Sequence, residues 1–289
     1  MDVALLFEHA PLFAMIAVGV LGLAVGSFLN VVIYRLPVIM ERNWSRECSE
    51  HLGNTPVAGA EVETFNLLFP ASRCPQCDHR LGVLENIPVF SYLLLRGRCS
   101  SCGTRISWRY PVVEFTTALL SVIVAMRFGY SPQLLAALGF TWVMIPLFLI
   151  DMDTQMLPDS ITLPLLWAGL LLSLPGLFID SHTSIIGAAA GYLSLWLIYH
   201  LFRLVTGKEG MGYGDFKLLA AIGAWVGWQA LPLVILFSSV VGAVFGLLLI
   251  LLRGRDHSQP MPFGPFLAAA GWITLLWGNG ILEYYLTYA

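Results

Sequence analysis

The chain has 289 residues, 57% of them hydrophobic and 11% charged, with a formal net charge of −3. A soluble globular domain carries about 25% charged residues, so an ordinary soluble enzyme is excluded. The small negative charge gives no general polyanion-binding surface, and no nucleic-acid partner is expected.

A membrane helix needs roughly 20 mostly apolar residues. About eight stretches meet that description, at 11–34, 111–130, 132–150, 160–179, 185–203, 216–229, 231–252 and 263–282. They are unbroken rather than alternating, which suits helices and not barrel strands. The N-terminal residues before Pro11 contain no Lys or Arg, so 11–34 is read as a retained first span and not a cleaved signal. Cytoplasmic loops collect Lys and Arg. With the N-terminus outside, all 15 Lys and Arg except Arg127 fall in or beside the inner loops 35–110, 151–159, 204–215 and 253–262. Both termini are therefore expected on the side opposite the cytoplasm.

Between the first two spans lies a polar insert, 35–110, with nine Arg and seven acidic residues. Its segment 48–65 is polar, carries Gly and Pro, and is expected to loop out. A short repeat follows: Cys74-Pro-Gln-Cys77-Asp-His-Arg80-Leu81 matches Cys99-Ser-Ser-Cys102-Gly-Thr-Arg105-Ile106. Two CxxC pairs supply four thiolates, the number a tetrahedral Zn²⁺ takes, and each turn aims two sulfurs at one metal. A four-sulfur site is full, so one structural Zn²⁺ per chain is expected at Cys74, Cys77, Cys99 and Cys102. It would replace a core that so small an insert cannot build. No thioredoxin-like unit surrounds either pair, which argues against redox chemistry. His79 is read as a surface residue, and Cys48 as a free thiol.

Ionisable groups in membranes are expensive and usually functional. Asp151 closes the apolar run Trp142-Val-Met-Ile-Pro-Leu-Phe-Leu-Ile150, and Asp215 follows Gly210-Met-Gly-Tyr-Gly214 and opens the sixth span. Both lie at the same membrane edge, where they can meet. Two facing carboxylates share one proton; one acts as base toward water and the other as acid toward a carbonyl. Glycines 210, 212 and 214 are expected to bring backbone close to substrate and to adopt positive φ. Asp153 is the nearest rival to Asp151. Asp159, after Leu-Pro, is read as a helix N-cap. Glu114 either pairs with an Arg such as Arg109 or belongs to another site. Lys217 either tunes Asp215 or snorkels to the interface. The glycines before Asp215 are not a nucleotide fingerprint, because no strand precedes them. The pairs Gly187/Gly191 and Gly242/Gly246 are read as helix-packing positions within the bundle.

Gly212-Tyr-Gly214-Asp215-Phe-Lys217 matches the GxGD signature of intramembrane aspartic proteases. Asp151-Met-Asp-Thr-Gln-Met-Leu-Pro158-Asp159 resembles the partner motif of type IV prepilin peptidases. Three further segments resemble that family: Gly26-Ser-Phe-Leu-Asn30-Val-Val-Ile-Tyr-Arg35-Leu-Pro37, Arg109-Tyr-Pro111-Val-Val-Glu114, and Pro262-Phe-Gly264-Pro265. The resemblance covers nearly the whole chain and fits the bacterial, zinc-containing branch.

It implies an all-α polytopic protein of the bacterial inner membrane, with about eight transmembrane helices and a zinc-ribbon-like insert. Three parts are expected: a first helix (1–34), a cytoplasmic four-Cys insert (35–110) and a seven-helix protease domain (111–289). Asp151 and Asp215 map onto the family's catalytic pair. The implied substrates are prepilins and pseudopilins, held beside membrane lipid, with cleavage on the cytoplasmic side. The new N-terminus would then be methylated from S-adenosylmethionine. Gly97, in Arg96-Gly97-Arg98, is the candidate residue for methyl transfer; the alternative is that it positions a zinc knuckle. A GxGD protease with other substrates fits the zinc insert poorly. An ion relay would want inverted repeats, which the sequence lacks.

Overall fold

The computed structural model describes residues 7, 9–52, 65–82, 84–208, 210–253 and 261–288. Among them no strand forms, and eight helices fall at the eight apolar stretches. They are α1 (Pro11–His51), α3 (Arg109–Phe128), α4 (Pro132–Thr154), α5 (Asp159–Ser173), α6 (Ser181–Thr206), α7 (Tyr213–Val226), α8 (Leu231–Arg253) and α9 (Gly264–Tyr288). The short helix α2 (Phe90–Leu94) belongs to the insert. Five helices are long and apolar enough to cross a membrane, and Asp159–Ser173 and Gly264–Gly278 are shorter apolar ones. The chain is a multi-pass membrane protein.

Chain contacts divide it into Met1–Met126 and Arg127–Ala289. This groups the second span with the insert, where the sequence reading begins the protease domain at 111. The reason is close packing of α1 on α3. A Cβ added at Gly22 would lie 2.7 Å from the Ala118 Cα, and one at Gly26 2.7 Å from the Glu114 Cα. Asn30 Nδ2 donates to the Tyr110 carbonyl at 3.1 Å, fixing the register.

In the first unit α1 runs well past the predicted span end at 34, through Pro37 to His51. Residues 48–51 of the expected loop are therefore helical, and 53–64 lie outside the described residues. Arg35, buried in α1, donates to the carbonyls of Asn66 (3.0 Å) and Pro70 (2.7 Å). These bonds tie the start of the knuckle region to the helix.

In the second unit α7 is the central helix, packed by α5, α6 and α9. Phe216, Leu218, Leu219, Ala221, Ile222 and Ala224 are fully buried. A helix apolar on all sides is one surrounded by protein. That explains how 14 residues, about 21 Å of helix, serve where a lipid-facing span needs about 30 Å. Gly187 on α6 meets the backbone of Gly223 on α7, and Gly191 meets Leu219, so this GxxxG pair packs helices as expected. Gly242 and Gly246 face Phe266 and Met261, also within the bundle. Ser184 Oγ donates to the Ala224 carbonyl (2.7 Å), and Trp225 Nε1 donates to that of Leu165 (2.9 Å). Arg127, the basic residue that breaks the charge pattern, donates to the Leu276 carbonyl at 2.8 Å. Helix α5 ends at Ser173, short of the predicted 179, and a turn at Gly176 (φ 67) follows it.

Candidate active site and four-cysteine cluster

Asp151 sits in the last turn of α4, where its carbonyl accepts the Gln155 N–H that closes the helix. Asp215 sits in the first turn of α7. An aromatic group of Tyr199, Tyr213 and Phe216, with ring centroids 5.3–5.6 Å apart, holds that turn against α6. Trp272 Nε1 donates to Thr141 Oγ1 at 2.9 Å and locks α9 to α4. The two aspartates are thus brought within electrostatic range of each other. They are 5% and 6% exposed.

The Gly264 N–H hydrogen-bonds to the Asp151 carboxylate, and the Gly212 backbone to that of Asp215. One oxygen of each remains alone. Asp151 Oδ2 and Asp215 Oδ1, with Thr274 Oγ1, are the buried side-chain polar atoms without a hydrogen-bond partner among the described residues. Leaving such a group unpaired costs about 1–3 kcal/mol, more when charged. Buried, unpartnered carboxylate oxygens of this kind cluster at functional sites.

Glycines set the walls. A Cβ at Gly264 would fall 2.7 Å from Asp151 Oδ2 and 3.1 Å from Leu157 Cδ1; one at Gly214 would fall 2.8 Å from Leu157 Cβ. Leu157, in the α4–α5 connection, therefore packs under both. None of the glycines at 210, 212 and 214 adopts positive φ, contrary to expectation. Gly214 is helical, and what it supplies is room for Leu157. Gly264 was visible in the sequence only as part of Pro262-Phe-Gly264-Pro265, with no role attached.

The neighbouring acids sort themselves by burial. Asp153 is exposed, which leaves Asp151 as the residue turned toward Asp215. Asp159 is the first residue of α5; Pro158 is the N-cap and makes no side-chain cap bond. Asp159 instead pairs with Lys217 Nζ at 2.7 Å. Lys217 is thereby drawn to the carboxylate of Asp159, on the exposed side of the site. Glu114, in the first unit, accepts the Val89 N–H at 2.7 Å.

The four cysteines converge as their spacing predicts. Their sulfurs all lie within 4.8 Å of one another, with Cys74–Cys102 at 3.8 Å and Cys77–Cys99 at 3.9 Å. A tetrahedron of sulfurs about 2.3 Å from Zn²⁺ has edges of about 3.8 Å, whereas a disulfide bond is about 2.05 Å. The donor set therefore fits a tetrahedral metal and not a pair of disulfides.

The repeat is structural. In each knuckle the first cysteine N–H donates to the carbonyl five residues on, His79 (2.9 Å) or Thr104 (2.8 Å). The fourth position after that cysteine is left-handed, Asp78 at φ 55 and Gly103 at φ 72. Arg73 and Arg98 form antiparallel bridges with Arg80 and Arg105. Thr104, by hydroxyl and backbone, holds Cys102 down at about 6. For Cys77 a backbone hydrogen bond at His79 is outweighed by burial and the neighbouring sulfurs, which push it up to about 11. Four clustered sulfurs do not ionise together without a cation among them. His79 stays outside the cluster. Its Nε2 lies 3.2 Å from Glu85 Oε2 and 3.4 Å from Ser100 Oγ, bracing one knuckle against the other. Ser100, the Gly82 N–H and His79 hold the Glu85 carboxyl down at about 2. Cys48 is an exposed free thiol on α1.

Gly97 has φ 66, and a Cβ there would meet the Tyr92 ring at 2.9 Å. Its N–H donates to the Tyr92 carbonyl (2.8 Å), and its own carbonyl accepts the Ile106 N–H (2.8 Å). The positive φ and the Tyr92 ring together favour glycine here. The Tyr92 ring packs against this turn.

Known proteins are similar in sequence over most of the chain. Residues 20–128 match the bacterial peptidase A24 N-terminal domain, and residues 138–247 match the type IV leader peptidase family. Proteins named prepilin leader peptidase/N-methyltransferase are similar throughout. That of Aeromonas salmonicida (strain A449) is 56% identical over 92% of this chain and 91% of its own. The Pseudomonas putida protein is 56% identical over 94% and 93%, and that of Neisseria gonorrhoeae 51% over 90% of each. No solved structure matches the chain significantly. With more than half its residues shared with these relatives over nine-tenths of its length, the chain belongs to the type IV leader peptidase family.

Proposed function

We propose that the chain cleaves the short basic leader from prepilins and pseudopilins at the Asp151–Asp215 couple and then N-methylates the new amino terminus. The observation that carries the reading is the pair of unpartnered carboxylate oxygens, Asp151 Oδ2 and Asp215 Oδ1, buried within electrostatic range of each other. Together the two groups hold one proton and one water. The ionised carboxyl takes a proton from that water as its oxygen attacks the scissile carbonyl carbon. The protonated carboxyl donates to the carbonyl oxygen, giving a tetrahedral diol. Collapse breaks the C–N bond: the leaving nitrogen takes the proton that the first carboxyl removed from water, and a diol hydroxyl returns its proton to the second carboxylate as the acid forms. Gly264 and Gly212 hold the carboxylates through backbone bonds that need no side-chain rearrangement. The charge pattern supports placing this edge in the cytoplasm. The substrate's apolar helix would lie in lipid beside the bundle, and its basic leader in the cytoplasm.

The four thiols support a structural Zn²⁺ held by Cys74, Cys77, Cys99 and Cys102, which would knit the two knuckles together. S-adenosylmethionine would supply the methyl group. Gly97, in the turn against Tyr92, stays the candidate residue for that step.

The test is a prepilin-processing assay on purified protein. Asp151→Asn and Asp215→Asn should each abolish cleavage, by about 10³-fold or more, while metal content and thermal stability persist. Normal processing by either variant would overturn the assignment.

A further inference from the structure

Five apolar side chains around α2 are exposed. Leu84, Ile87, Phe90, Leu93 and Leu94 are between 40 and 81% exposed. Uncovered apolar clusters of this kind mark an interaction surface.

Their depth is fixed by α3. Its 20 residues make about 30 Å, the thickness of the hydrocarbon layer, with nothing to spare. Glu114 is its sixth residue, about 8 Å along from Arg109. The Glu114 carboxylate holds the Val89 N–H at 2.7 Å, and α2 begins at the next residue. The start of α2 is thus pinned about 8 Å along from the Arg109 end of a helix that only just spans. Interfacial helices bury their apolar face about 5–10 Å into the boundary between head groups and acyl chains.

Other contacts hold it there. Tyr92 Oη donates to the Ile106 carbonyl at 3.4 Å. The chain enters α2 through a tight turn in which Val89 has φ 61 and ψ −47 and the Phe90 N–H donates to the Pro88 carbonyl at 2.6 Å. A β-branched residue in that region is strained and persists only when its surroundings demand it. Arg96 and Arg98, both exposed, follow α2, and exposed Trp108 precedes α3. Such residues suit the head-group layer.

We propose that residues 84–95 form an interfacial anchor, in which α2 lies in the lipid boundary of the membrane that α3 crosses. Phe90, Leu93 and Leu94 enter the acyl region, and Arg96 and Arg98 meet lipid phosphates. The anchor keeps the four-cysteine cluster at the bilayer surface.

The experiment uses the full chain in phosphatidylethanolamine–phosphatidylglycerol vesicles, with Leu94→p-benzoyl-phenylalanine, and Leu93→p-benzoyl-phenylalanine as the second variant. After irradiation, mass spectrometry identifies what each position has bound. The same photoreactive residue at Phe115, exposed on α3, serves as the lipid-facing reference. Leu52 is the solvent reference; it is 77% exposed and about 33 Å along α1 beyond Asn30. Phospholipid adducts at 93 or 94, near the Phe115 yield and at least about tenfold above Leu52, are expected. Adducts with residues 127–289, with a second copy or with an added prepilin, or lipid yields no higher than at Leu52, would overturn the anchor.

Discussion

Replacing Gly264 by alanine tests the geometry of the aspartate couple without touching either carboxyl. The added Cβ would stand 2.7 Å from Asp151 Oδ2, and an ordinary contact begins near 3.4 Å. The carboxylate must therefore retreat by about 0.7 Å. It cannot retreat freely, because the Gly264 N–H holds it, and the Cβ would also press on Leu157 Cδ1 at 3.1 Å. A misplacement of about 1 Å in a catalytic group costs about 10²-fold in rate. We therefore expect kcat for prepilin cleavage to fall about tenfold to a hundredfold, with KM changed by less than about threefold. The assay is cleavage of a purified prepilin in detergent or vesicles, followed by the mobility shift of the shortened product. Circular dichroism and Tm establish that the variant is folded. Wild-type turnover by a folded Gly264→Ala protein would refute the claim that this glycine positions Asp151.

Elemental analysis of carefully purified protein should give about one Zn²⁺ per chain, and Cys77→Ser should lose it; metal-free wild-type protein would end the zinc assignment. Gly187→Val forces a side chain into the Gly223 backbone. Overpacking costs about 1–3 kcal/mol, so Tm should drop by about 2–12 °C, and an unchanged Tm would mean that α6 and α7 are not so close.

The membrane class and all eight helices were legible because apolar runs are a strong signal in a chain with 11% charged residues. The cysteine cluster was legible because two CxxC turns with matching flanks leave a metal few alternatives. Helix ends were less so. Residues 35–51 read as polar insert, yet they continue α1, since a helix needs no apolar face once it has left the bilayer. The sequence also assigned wrong reasons to right residues. The glycines before Asp215 suggested an unusual backbone, and Gly214 turned out to serve Leu157, a neighbour 57 positions away that no local pattern reveals. Asp159 looked like a cap and is half of an ion pair with Lys217, 58 positions distant. Gly264 lacked a role for the same reason: its partner, Asp151, lies on a helix five elements earlier in the chain.

Helix α1 has 41 residues, about 61 Å of rod against a layer about 30 Å thick. Pro37 sits in its interior and supplies no N–H to the Ile33 carbonyl, so the rod has a compliant joint just beyond the level of Asn30. Arg35, one half-turn before the joint, is fastened to Asn66 and Pro70. The two Arg35 bonds therefore fasten the chain at 66–70 to α1 beside the one turn of the rod that lacks a backbone hydrogen bond.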